Sequence, residues 1–187
     1  MNVILLGPPG CGKGTQGAVL AERTGTSRIG TGDLLREAVR TKTPLGLRAQ
    51  DFMEKGLLVP DEIILGLIQE VLNTDKASKG LIMDGFPRTV AQAEAVDHLL
   101  ASRDTGIDHV LCFDVPKDEL VRRMQGRAEA EGRNDDNPEA FRKRLEVYLK
   151  QTAPLVEHYE QRDLVTNIHG LGSVDEVAAR VQEALEV

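Results

Sequence analysis

The chain reads as an α/β domain built on a doubly wound parallel sheet of about five strands. Three observations predict this. First, Val3-Ile4-Leu5-Leu6, Leu81-Ile82-Met83 and Val110-Leu111-Cys112-Phe113 are short, unbroken apolar runs of the kind that form strands buried on both faces. Second, stretches with helical apolar spacing lie between them, the alternation that builds parallel crossover units. Third, 187 residues is the length of one domain and can bury a substantial core. Aromatics make up only 3% and Trp is absent, so that core must rest on Val, Ile, Leu and Ala.

The first strand closes in Gly7-Pro8-Pro9-Gly10-Cys11-Gly12-Lys13-Gly14-Thr15 and then enters a helix predicted over 15–23, which Gly25 stops. Glycines at 7, 10 and 12 let the backbone coil so that N–H groups point inward, and the helix start adds its positive dipole end. Lys13 brings a full charge to the same place, and Gly7-x4-Gly12-Lys13 is the spacing of a phosphate-binding P-loop. A Ser or Thr usually follows that lysine and touches magnesium; here Gly14 does, with Thr15 one later. A metal at this site is therefore expected to be held mainly by phosphate oxygens and water.

Arg28-Ile29-Gly30 is a very short strand running into Thr31-Gly32-Asp33, which opens a helix over 34–41 with Asp33 at its positive end. Another helix follows Pro44 and closes at Gly56; Val59 is extended because it precedes Pro60. Asp61 and Glu62 start a helix whose Ile63, Ile64, Leu67, Ile68, Val71 and Leu72 share one apolar face. The strand at 81–83 runs into Asp84-Gly85-Phe86-Pro87-Arg88-Thr89 and a helix to about Ser102. After the strand at 110–113, Pro116 opens a helix to about Gly126. Residues 128–137 lack apolar periodicity and read as a loop or short lid. A long helix from Pro138 to about Gln161 is expected to kink or split at Pro154. The strand 164–168 follows, then a last helix with Ser173 and Glu176 as capping box and Val174, Val177, Ala178, Val181 and Leu185 toward the core.

A net charge of −7 argues against a general binder of nucleic acid or membrane surfaces. An acidic protein that binds phosphates must gather its positive charge locally. Cys11 and Cys112 have no metal spacing, no apolar run is long enough to span a bilayer, and the first residues already read as strand and loop. A cytoplasmic protein without a leader is the expectation.

Asp84, at the end of an apolar strand, suits the magnesium shell, although a turn-capping role competes for it. Arg36, Arg88, Arg123, Arg127, Arg133 and Arg144 lie near segment ends or on the two insertions. Each alone reads as a solvated surface arginine; together, in an acidic chain, they suggest a cleft for two phosphate-bearing ligands.

Along nearly its whole length the chain resembles the adenylate kinases in their short-lid form. The resemblance rests on Gly7-Pro8-Pro9-Gly10-Cys11-Gly12-Lys13-Gly14-Thr15-Gln16 and Thr31-Gly32-Asp33-Leu34-Leu35-Arg36, then Gly56-Leu57-Leu58-Val59-Pro60 and Asp84-Gly85-Phe86-Pro87-Arg88-Thr89 with Gln92. Further on are Arg123-x-x-Gly126-Arg127, Gly132-Arg133-x-Asp135-Asp136-Asn137 with Arg144, and Gly172-Ser173-Val174. Gly14 after the lysine is itself a family trait; Gly30 and Cys11 stand where other small residues are common.

The resemblance implies MgATP + AMP ⇌ 2 ADP and strand order 2-3-1-4-5. It implies a core of 1–29, 60–126 and 138–187, an AMP-binding insertion at 30–59 and a short lid at 127–137. Gly10, Cys11, Gly12, Lys13, Gly14 and Thr15 would hold the ATP phosphates, Arg123 and Arg127 would come over ATP, and the backbone of Gly172 would meet its adenine. Thr31, Arg36, Leu57, Leu58, Val59, Gly85, Phe86, Pro87, Arg88 and Gln92 would hold AMP, with Arg133 and Arg144 bridging to the transferred group. Lys13, Arg88, Arg123, Arg133 and Arg144 would be catalytic, and Asp84 would reach magnesium through water. Long-lid members carry a zinc site; with no cysteine in the lid, zinc is excluded. A monomer working on free ATP, AMP and ADP is the implied form.

Two other readings stand beside this one. A UMP/CMP kinase would differ at the acceptor base, where Gln92, four residues after Arg88, offers a donor and an acceptor matching adenine. A regulatory nucleotide switch would carry an Asp-x-x-Gly turn and a guanine-reading Asn-Lys-x-Asp, and neither is present. Cys11 is either a small inert loop filler or, beside Lys13 and a helix start, a reactive thiol.

Overall fold

A computed structural model describes residues 1–74, 77–131 and 138–186, apart from the side chains of 67, 70, 71 and 127–131. Each predicted apolar run is a strand. The chain runs β1 (Val3–Leu6), α1 (Lys13–Thr24), β2 (Ser27–Gly30), α2 (Thr31–Arg40), α3 (Pro44–Glu54), α4 (Asp61–Leu72) and β3 (Leu81–Asp84). It continues with α5 (Val90–Ala101), β4 (His109–Asp114), α6 (Lys117–Glu131), α7 (Pro138–Val147), a π-helical turn (Tyr148–Thr152), α8 (Pro154–Glu160), β5 (Val165–His169) and α9 (Val174–Leu185). The sheet order is β2-β3-β1-β4-β5, as the resemblance implied. Every pairing is parallel, with Ile4 beside Met83 on one side and Val110 on the other.

Strand alternation divides the core in two. Ile4, Leu6, Met83 and Val110 face Ile63, Ile68, Val96, Leu100, Leu155 and Tyr159 of α4, α5 and α8, together with Leu35 and Ala49 from α2 and α3. Val3, Leu5, Ile82, Leu111 and Phe113 face Leu20, Leu120, Met124, Val177 and Val181 of α1, α6 and α9. β1 is fully buried at the centre, each such side chain contributing about 1.5–3 kcal/mol. Its carboxyl end therefore presents the glycine loop from the buried centre of the sheet.

Five local features refine the sequence reading. α2 starts at Thr31, capped by Gly30, because the Asp33 carboxylate bonds Arg28 and Arg36 instead of the helix N–H groups. α6 runs on past Gly126 to Glu131, so the first part of the expected lid loop is helical. Ala128-Glu129-Ala130-Glu131 are good helix formers, and one interior glycine costs only about 1 kcal/mol. The rest of that loop, 132–137, lies outside the described residues. Val174, expected in the core, is 49% exposed, because as the first residue of α9 it sits at the rim of the cavity described below.

The expected break at Pro154 takes the form of a π turn. Proline has no N–H and its ring clashes with the carbonyl four residues back. The helix widens just before it, and Ala153 N–H reaches Tyr148 O at 2.8 Å, five residues back. The capping box is as read: Glu176 N–H donates to Ser173 Oγ, and Ser173 N–H to Glu176 Oε2. Among the described residues, no helix is long and apolar enough to cross a membrane.

Candidate active site

The carboxyl ends of β1, β2 and β3 open onto one cavity of about 870 Å³, within the size range of ligand pockets. One wall is the glycine loop. Gly7, Gly10 and Gly12 have φ of 145°, 85° and 100°, the left-handed region that glycine tolerates, and the turn delivers the loop straight into α1. Lys13 Nζ folds over the loop, donating to Gly7 O at 2.7 Å, Pro8 O at 3.0 Å and Cys11 Sγ at 3.4 Å. An ammonium so placed can exchange carbonyls for phosphate oxygens with little movement. Cys11 is 1% exposed, which supports the inert-filler reading of this residue.

Arg123 reaches the same loop from α6. It donates from Nη1 to Cys11 O at 3.4 Å and from Nη2 to Gly170 O at 2.9 Å, while Nε holds Glu119 at 2.7 Å. Hydrogen bonds from Arg122 and then Arg123 hold the Glu119 carboxyl down to about 2. Gly172, with φ of 120°, lines the cavity beside Ser173 and Val174. That loop is fixed by Arg180 Nη1 on His169 O and Leu171 O, and by Gln16 Nε2 on Val174 O.

The facing wall is made of arginines. Arg36, Arg88 and Arg144 come from α2, the β3–α5 turn and α7, and all three line the cavity. Arg88 Nε donates to Gly85 O at 2.7 Å. Burial, then repulsion from Arg144 and Arg36, pulls its pKa below the ordinary arginine value, with the charge of Asp84 opposing. Arginine stays charged through such shifts. Like charges gathered out of water in this way make a site for an anion.

Behind that wall a smaller pocket of about 70 Å³ is lined by Thr31, Leu57, Leu58, Val59, Gly85, Phe86, Arg88, Gln92 and Arg144. Thr31 Oγ1 donates to Gly85 O at 3.0 Å. Although four residues apart, Arg88 and Gln92 do not share a helix face, because Arg88 precedes α5, whose N-cap is Thr89. The Gln92 amide is engaged within the protein, its Oε1 accepting from Arg88 N at 2.7 Å and its Nε2 donating to Asp61 at 2.5 Å. A base in this pocket would have to exchange for those bonds. Pro87 lines the large cavity after a cis Phe86–Pro87 bond. The Arg127 side chain and the whole of Arg133 lie outside the described residues.

Asp84 does not stand alone at the end of β3. It accepts from Arg28 Nη2 at 2.6 Å, and the same Nη2 donates to Asp33 at 2.9 Å. This explains Gly14: a Cβ there would lie 3.1 Å from Arg28 Nη2 and 3.4 Å from Asp84 Oδ2. Among the described residues no group of three His, Cys, Asp or Glu could cage a metal. A carboxylate beside a phosphate loop suits magnesium, which keeps much of its water and takes phosphate oxygens.

Sequence reasoning missed Arg28, Glu119 and Tyr148, all on the cavity wall. A signal existed for the first two. A charge in a strand of a covered sheet has to be paired, and Glu119 stands three and four residues before Arg122 and Arg123. Nothing marked Tyr148, whose hydroxyl burial pushes above the ordinary tyrosine range.

The comparisons with known proteins agree with one another. The adenylate kinase family model matches residues 5–164. A protein named adenylate kinase from Thermus thermophilus is 52% identical over 185 residues, 99% of this chain and 97% of that protein. Another of that name from Xanthomonas campestris pv. campestris is 50% identical, over 99% of both chains.

Proposed function

The chain belongs to the adenylate kinase family of phosphotransferases, and from that membership we propose the finer chemistry, an ATP:AMP phosphotransferase converting MgATP and AMP reversibly into two ADP. The observation that carries this reading is the pairing of two anion sites across one cavity: a glycine loop with Lys13 on one wall, and Arg36, Arg88 and Arg144 on the other. A cleft with one phosphate site would suit a hydrolase or a switch; two facing sites suit transfer between two phosphate-bearing ligands.

In this proposal Gly10, Cys11, Gly12, Lys13, Gly14 and Thr15 bind the donor phosphates, Arg123 and Arg127 orient them, and the Gly172 backbone receives the donor base. Arg36, Arg88, Arg133 and Arg144 clamp the acceptor phosphate; Thr31, Leu57, Leu58, Val59, Gly85, Phe86, Pro87 and Gln92 shape the acceptor base pocket. The acceptor oxygen is already anionic, so transfer needs no general base. It needs alignment, charge neutralisation and exclusion of water. Magnesium arriving with ATP would supply charge neutralisation across the donor phosphates, with Asp84 orienting water around it. The insertion 30–59 and the lid 127–137 would close over the ligands and keep water out. A zinc-free cytoplasmic monomer acting on free nucleotides completes the proposal.

The test is an acceptor panel of AMP, dAMP, UMP, CMP and GMP with MgATP, followed by product analysis. AMP should be preferred over UMP by about tenfold to hundredfold, the cost of a mismatched buried polar contact once Gln92 has exchanged its internal bonds for the base. Equal use of UMP or CMP would move the assignment to a pyrimidine nucleotide kinase.

A further inference from the structure

Arg28 lies between the two walls, and its surroundings are unusual for an arginine of a short strand. Its Nη2 serves two carboxylates at once, Asp84 at 2.6 Å and Asp33 at 2.9 Å, and the other oxygen of Asp33 takes Arg36 at 2.5 Å. Asp84, Arg28, Asp33 and Arg36 thus form one line of alternating charge, all on the cavity wall. The line runs from beside the glycine loop to an arginine of the acceptor wall.

The backbone has made room for it. An added Cβ at Gly30 would stand 2.8 Å from Asp33 Oδ2 and 2.9 Å from Arg28 Nη2, and one at Gly17 2.9 Å from Leu5 Cδ1 and 3.1 Å from Arg28 Cδ, closer than packed atoms normally come. Arg28 Nε is buried without a hydrogen-bond partner among the described residues, a cost a solvated surface arginine would not carry. Burial opposes the Arg28 charge, but Asp84 and then Asp33 outweigh it and raise the pKa. Burial likewise opposes the Asp33 charge, but Arg36 and then Arg28 hold its carboxyl below the usual range. Arg28 and Asp33 therefore stay ionised at neutral pH.

We propose that Arg28 is a positioning residue that couples the donor and acceptor halves of the site. It occupies Asp84 on the metal side and, by sharing Asp33, limits how strongly that carboxylate neutralises Arg36. More of the Arg36 charge is then left for the acceptor phosphate, at the expense of the attraction Asp84 exerts on a hydrated cation. The inference rests on Arg36 contacting the acceptor phosphate and on Asp84 facing the magnesium shell.

It predicts effects of opposite sign. In Arg28→Met, Asp33 turns further to Arg36 and AMP binding weakens, while Asp84 is released and the Mg²⁺ midpoint for ATP binding falls. AMP affinity is measured by calorimetry without metal or ATP, and the Mg²⁺ midpoint by titration of the ATP-bound protein. AMP affinity should drop about fivefold or more, the lower range of site coupling, with the Mg²⁺ midpoint moving the other way. Arg28→Lys should lie between wild type and Arg28→Met. Unchanged AMP affinity in Arg28→Met would overturn the coupling, as would a loss of both affinities with a lowered Tm, the mark of a purely structural role. Arg36→Ala separates the two readings: if it leaves AMP binding intact, the acceptor assignment itself falls and the coupling with it. If Arg36→Ala weakens AMP but Arg28→Met does not, only the coupling fails.

Discussion

The glycine loop and the arginine wall both present positive charge to the same cavity, but they are built in opposite ways. The loop is contiguous, made largely of backbone, and held at the buried end of β1. Its full charge is concentrated in Lys13, which rests on loop carbonyls. The wall is assembled from α2, the β3–α5 turn and α7, far apart in sequence, with partners such as Gly85 O for Arg88 and Asp33 for Arg36. A site made from one segment depends on one side chain; a site made from many segments spreads the dependence.

The sharpest test of that contrast is Lys13→Met, which keeps the stem and removes the charge. Transfer should fall by about 10²–10³ or more with Tm near wild type, since the loop shape is backbone and the lost contact is to the transferring group. Near wild-type turnover would break the comparison, because the loop would not then depend on its lysine. Gln92→Ala probes the distributed side and should do less: the AMP KM rises about tenfold, the AMP-over-UMP ratio narrows and the ATP KM holds. Because Gln92 also ties Arg88 N to Asp61, its removal should lower Tm as well, as Lys13→Met should not. An AMP KM unmoved by Gln92→Ala would take this residue out of the acceptor pocket.

The smallest effect is expected at Glu119, which belongs to neither wall but steadies Arg123 between them. Its folded pKa is depressed from 4.5 to about 2, so the stability it adds is present above pH 4.5 and is lost as pH falls toward 2. Glu119→Gln should lower the neutral-pH Tm slightly and match wild type near pH 2, which flattens the Tm profile over that window. A profile as steep as wild type would show that the Arg122 and Arg123 contacts do not govern acid stability.

The same contrast explains what could be read from sequence. The glycine loop, the strand runs and the capping box at Ser173 are local patterns, and local patterns survive in a linear text. The arginines could be named singly, but which of them face one another depends on how β3, α2 and α7 meet. The engagement of Gln92 with Asp61 belongs to that tertiary level, across 31 residues, and so does the salt bridge from Arg28 to Asp84, across 56. Helix ends were misplaced where a side chain had a better partner elsewhere, as Asp33 does, or where good helix formers carried a turn past a glycine, as after Gly126.

The π turn ahead of Pro154 holds one residue more than an α-helix would need to cover the same ground. Its length is therefore part of the site's specification. Deleting a single residue between 148 and 153 would leave α7 and α8 in nearly the same register, but would press the Pro154 ring against the carbonyl four residues back and force a kink. Such a kink would tilt α7, drawing Phe141 and Ala140, now buried, from the core and Arg144 from the acceptor wall. Thr152, whose hydroxyl donates to the carbonyl of Arg88 at 3.0 Å, would lose its mark as well. In a segment that carries no motif, the chain tolerates exchange of side chains far better than a change in count.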